Sequence, residues 1–190
     1  MGSDGAVKRA AAVMGLALAA CAPEVTLSPA EVLGDRFSPR VAFFFAAPEG
    51  AQRVEVWLTD RTDACAVLQK EPDAQLKDMR GLSLVLRNVV RAPEGYLTTA
   101  PILEGRYPFG DLLNEGLVLD GAGYWATGGL CGYFRRGQAS AGELTLSHYA
   151  QGQTAEGAFE LDFAGRTVRG TFLARHCATE PRPHPKSPCR

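Results

Sequence analysis

The sequence predicts an all-β fold, an antiparallel β-sandwich or partly closed barrel with one short helix, preceded by a signal peptide and a linker. Three observations point there. Apolar residues recur at every second position in several segments, most clearly over 142–175, and that period sets them on one face of a strand. Turn residues separate these segments at short intervals, as in sandwiches and barrels. Only one stretch, 64–69, carries helical start and stop signals. The 190 residues are 46% hydrophobic and 22% charged, with a net charge of -1, a globular balance with length for one core. This excludes a disordered chain, and the lack of basic excess excludes a nucleic-acid partner. No apolar run reaches the roughly 18 residues of a membrane-spanning helix.

The chain is read in four parts. Residues 1–20 have a basic start (Lys8, Arg9) and an apolar stretch, AAAVMGLALAA, too short to span a bilayer core of about 30 Å. They read as a signal peptide. The stretch ends in Leu18-Ala19-Ala20-Cys21, which looks like a bacterial lipobox with Cys21 as the lipidated residue. Two or more acyl chains on one cysteine give lasting attachment. Ala22 and Pro23 follow; without aspartate there, the expected location is the outer membrane, facing the periplasm or the surface. Residues 21–39 hold prolines without periodicity and are expected to be a linker. Residues 40–178 are the β domain. Residues 179–190, which include PRPHPKSPC, form a proline-rich tail unsuited to a sheet interior.

Within the domain, Val41–Phe45 is a compact apolar run, a buried strand. Val54, Val56 and Leu58 alternate with Glu55 and Trp57, and Leu82, Leu84 and Leu86 with Ser83, Val85 and Arg87. Asp63 is positioned to cap a helix beginning at Ala64, and Pro72 stops it. Leu144/Leu146, then Phe159/Leu161/Phe163, then Val168/Gly170/Phe172/Ala174 define three consecutive strands. Gly165 supplies the last turn.

Three passages resemble a set of uncharacterised lipoproteins of the myxobacterial type. They are Val56-Trp57-Leu58-Thr59-Asp60 leading into Asp63-Ala64-Cys65, Cys131 followed by Ser140–Leu146, and Gly157–Phe163 with Val168–Ala174 and Cys177. The resemblance implies a lipid anchor and a disulfide-bearing β domain. It transfers no catalytic residue.

Besides Cys21, four cysteines remain: Cys65, Cys131, Cys177 and Cys189. In an exported chain they suggest two disulfides, with three connectivities open. Cys65–Cys177 with Cys131–Cys189 is favoured, over a zinc set of His176, Cys177, His184 and Cys189.

Catalytic patterns are weak. Gly121–Ala126 fits G-x-G-x-x-A, but more glycines follow where a dinucleotide site needs a helix; a turn between strands is expected. No G-x-S-x-G elbow exists. His148 falls in phase with Leu144 and Leu146, so a half-buried structural histidine is expected. Asp60 with Asp63 is weighed as a carboxylate pair. Glu160 and Asp162 read as solvated charges, and Arg135-Arg136 as too short for a nucleic-acid patch. Trp57, Tyr124, Trp125 and Tyr133 at strand spacing are expected in the core, and Tyr124, Trp125 and Tyr133 are weighed against that as an aromatic surface for a glycan or small ligand. The reading is a lipid-anchored, non-enzymatic interaction or assembly module, with no catalytic residues, metal or cofactor. Its partners are the membrane, through the lipid, and an unknown envelope protein or glycan. The alternative is a ligand- or glycan-binding lipoprotein.

Overall fold

The computed structural model describes residues 24–46, 52–72, 74–110, 112–113 and 115–179. The signal peptide, Cys21, the tail beyond 179 and Cys189 lie outside the described residues. Among the described residues thirteen strands and one helix follow in order: β1 (Val25–Ser28), β2 (Glu31–Val32), β3 (Asp35–Arg36), β4 (Val41–Ala46), β5 (Arg53–Thr59), α1 (Ala64–Lys70), β6 (Arg80–Arg91), β7 (Leu97–Ala100), β8 (Gly105–Pro108), β9 (Gly116–Thr127), β10 (Tyr133–Gln138), β11 (Ala141–Ala150), β12 (Thr154–Phe163) and β13 (Arg166–His176). The fold is all-β with one short helix, as its alternating pattern predicts.

One sheet curls into a half-barrel in the order β10-β9-β6-β5-β4-β13-β12-β11-β8, with β1 beside β13 and β7 beside β6. Neighbours are antiparallel except β13 and β4, which meet in parallel at Arg175↔Phe43 and His176↔Phe44. The residue after β8 meets β9, next to the other end of the sheet, through a parallel bridge, Phe109↔Leu119. The predicted meander is β11-β12-β13. Its last turn is tight: Ala164 and Gly165 take φ of 53° and 79° between paired Phe163 and Arg166. That is the two-residue hairpin geometry with both central residues left-handed.

The inward positions form one core. Phe44, Val54, Val56, Leu58, Leu82, Leu84, Leu86, Leu144, Leu161 and Phe163 belong to it. Two aromatic rings in it lie over cross-strand glycines. Gly157 pairs with Phe172 and Gly170 with Phe159. A Cβ on Gly170 would meet the Phe159 ring at 2.5 Å and Thr26 O at 2.4 Å. The glycine of the Gly-Thr-Phe segment is therefore a packing requirement: it lets β1 and the ring close on the backbone together.

A second core lies on the outside of the curl. Phe43 and Phe45 point there, and α1 covers them with Ala64 and Leu68. Both faces of β4 are thus buried, which is why its sequence is an unbroken apolar run. Trp57, on the outward face of β5, belongs to the same layer. Its ring sits 5.2 Å from Phe45 and 4.9 Å from Trp125. The Cys65–Cys177 disulfide ties α1 to the chain just after β13.

Four expectations differ from the structure. Residues 24–39, expected within the linker, are part of the body: β1 runs along β13 from Val25↔Phe172 to Ser28↔Arg169, and Val32 and Phe37 are buried in the core. Short strands broken by Pro29 show no periodicity, so the pairing partner, not the local pattern, defines them. Gly121–Ala126 is not a turn but the interior of β9, with Trp125 lying over Gly81 and Gln138 over Gly123. Asp63 occupies the position before α1, yet its carboxylate makes no capping bond; Arg61 takes it instead, Nε to Oδ1 at 2.7 Å. His148 is solvent-exposed, because β11 carries an extra residue between Leu146↔Gly157 and His148↔Glu156. That bulge shifts the phase and brings half-buried Tyr149 against Phe44 instead.

Candidate functional site

Two features of the surface adjoin each other through one side chain, Arg80 at the start of β6. Its Nε donates to Asp35 Oδ2 at 3.1 Å, and its backbone N–H donates to Asp60 Oδ1 at 2.8 Å. Its guanidinium carbon also stands 5.8 Å from the centre of the Phe134 ring on β10, a cation–π contact. Tyr124, inward on β9, donates its hydroxyl to the same Asp35 oxygen at 2.7 Å. Burial alone would raise the Asp35 carboxyl, but the hydrogen bonds from Tyr124 and Arg80 and the Arg80 charge outweigh it and hold it below its ordinary 3.8. Burial, with the adjoining Asp35 carboxylate, pushes the Tyr124 phenol up. This network locks the β2–β3 hairpin onto the barrel.

On one side of Arg80 lies a cleft of about 530 Å³ lined by Arg36, Ser38, Arg40, Asp60, Arg61, Thr62, Asp63 and Asp78. Its first wall is an extended segment in which residues 36, 38 and 40 share a face. Buried Phe37 and the bond from Arg40 N to Thr59 O, 2.8 Å, fix that segment. Its second wall is the turn from β5 into α1. Asp60 and Asp63, weighed as a carboxylate pair, both line this cleft, but each is engaged by an arginine: Arg80 Nη1 stands 3.7 Å from Asp60 and Arg61 holds Asp63.

On the other side is β10, an end strand of the curled sheet. It pairs only with β9, with Phe134 bulged out between Tyr133↔Thr127 and Arg135↔Ala126. Tyr133 and Phe134 are 62% and 57% exposed, and Leu130 before them 94%. Among the described residues, no backbone bond joins the outer edge of β10 to another segment.

The structure does not gather the three predicted aromatic residues. Strand alternation puts Tyr124 in the inner core and Trp125 on the outer layer below α1; Tyr133 alone projects into solvent. Of the cysteines, Cys65 and Cys177 are joined as favoured. Cys177 is thereby spent as a thiolate ligand for the alternative zinc set. Cys131 is also disulfide-bonded, and its expected partner Cys189 lies outside the described residues. His148 Nδ1 stands 3.3 Å from Glu104 Oε1 with both side chains more than half exposed, a solvated pair rather than a shielded acid–base couple. Glu160 and Asp162 are outward as expected, Glu160 bonded to Arg169 at 2.7 Å. Sequence reasoning missed Arg36, Ser38, Arg40 and Asp78 because two of the cleft's contributors come from the presumed linker. The spacing Arg36-x-Ser38-x-Arg40 was the available signal.

No family model, no curated protein and no solved structure matches the chain.

Proposed function

We propose that the chain is a lipid-tethered cell-envelope protein, non-enzymatic, that serves as an interaction module and offers β10 as its docking edge. The observation that carries this reading is the open edge itself: an unpaired strand flank beside exposed Tyr133 and Phe134. Unpaired strand flanks accept an added strand, and aromatic rings with arginine are the residues enriched in interface centres. Two further features support it. Cys21 closes a lipobox-like Leu-Ala-Ala-Cys stretch, and the Cys65–Cys177 bridge fits an oxidising compartment.

The strand is unsuited to pairing with its own copy. Antiparallel self-pairing centred on Arg135 and Arg136 sets arginine against arginine, which is destabilising. An extended partner segment carrying acidic residues fits it better. Two measurements test the proposal. Acyl labelling in cells should mark the wild type and vanish in Cys21→Ser. A photo-crosslinking residue at position 134 or 136 should trap one defined envelope protein, while the same residue at 156, on the far part of the sheet, traps none. Labelling that survives Cys21→Ser refutes the tether; equal crosslinking from both places refutes the edge.

A further inference from the structure

The cleft on the other side of Arg80 carries an inference of its own, which depends on neither the tether nor the edge strand. The arginines of this body are mostly engaged. Arg53, Arg61, Arg80, Arg87, Arg91, Arg106, Arg166, Arg169 and Arg175 each meet a carboxylate, and Arg135 donates to Leu33 O. Among the described residues only Arg36, Arg40 and Arg136 have guanidiniums without a partner. Two of these three line one cleft.

The cleft's remaining charges are largely settled. Asp63 is bonded through both oxygens to Arg61, at 2.7 and 3.3 Å, and Asp60 is held by Arg80. Asp78, exposed and in a left-handed turn at φ 47°, is the carboxylate there without such a partner. The open groups are therefore two guanidiniums, the hydroxyls of Ser38 and Thr62, and one carboxylate. That set is rich in donors and holds two positive charges to one negative, within a lining of three arginines and three aspartates. Guanidiniums prefer oxyanions, which accept two parallel N–H bonds. The volume is in the range of small-molecule sites.

We infer that this cleft is a binding site for an oxyanion, a phosphate or carboxylate group borne by a small molecule or a lipid headgroup, held between Arg36 and Arg40. The hydroxyls of Ser38 and Thr62 supply further donors, and Asp78 sets an upper limit on affinity by opposing the ligand's charge.

The test is calorimetric titration of the purified, oxidised, full chain with inorganic phosphate and with acetate at constant ionic strength. Wild type should bind in the millimolar range; Arg36→Ser with Arg40→Ser should weaken binding at least about tenfold, and Asp78→Asn should strengthen it about threefold. All three positions are exposed, and circular dichroism checks that the variants remain folded. Two further arms separate the sources: soluble glycerol phosphate, and phosphatidylcholine vesicles with and without phosphatidate. Binding to the first alone assigns a free metabolite. Binding to doped vesicles, lost in the double variant, assigns a headgroup. No heat with any anion, or equal binding by wild type and the double variant, overturns the inference.

Discussion

Removing the bridge between α1 and the end of β13 is the most quantitative perturbation the fold allows. Cys65 and Cys177 are 112 positions apart in sequence. Cutting that link releases the denatured chain from a long closed loop, a gain of about 16 cal/mol/K, or about 4.8 kcal/mol at 25 °C in the chain-entropy treatment. The native side changes less, because Ala64 and Leu68 still pack on Phe43 and Phe45. A seven-residue helix does not hold without such packing, so fraying should start at α1. Urea unfolding of Cys65→Ala/Cys177→Ala against wild type measures the effect, and the double variant leaves Cys131's own bridge untouched. The expected loss is about 4 to 5 kcal/mol, or roughly 10–20 °C in Tm for a chain of this length. A loss below about 1 kcal/mol with an unchanged m-value would refute the argument that the constraint acts on the denatured ensemble.

Other outcomes follow from single features. Ala164→Asn should stabilise by about 1 kcal/mol in the same assay, since Ala164 sits left-handed in a turn that favours asparagine before glycine; no gain would mean the turn relaxes. Gly170→Ala should cost about 1–3 kcal/mol, because the new methyl collides with the Phe159 ring and the β1 backbone. Asp35 titrates below its unfolded value, so its contribution is complete above the ordinary 3.8 and is lost as pH falls through the folded value. Asp35→Asn should therefore be less stable at neutral pH and show a shallower loss on acidification below about pH 4. Non-reducing peptide mapping of the mature protein should find Cys131 joined to Cys189; a free thiol at Cys189 would contradict that pairing.

Much of the fold was legible because its strands are long and one-sided. The meander over 141–176 could be read from alternation alone, and the helix start at Ala64 from the local composition. What escaped depends on partners distant in sequence. β1 is a strand because β13 accepts it, and nothing between Val25 and Ser28 announces that. The glycines at 121 and 123 look like a turn, yet in β9 they make room for side chains from neighbouring strands. The histidine was misplaced by one residue's slip, since no local signal marks the bulge before it. The cleft was the least legible part. Its donors come from 36–40, 60–63 and 78, and only the closed fold reveals which charges are already matched.

The bridge of Phe109 to Leu119, with the bond from Gly110 N to Leu119 O at 3.3 Å, is a thin clasp beside the β6–β9 and β12–β13 seams, which each pair ten residues. A hoop fails first at its clasp. Deuterium should enter the amide of Gly110 well before those of β12, and any molecule seeking the greasy interior would find its door there.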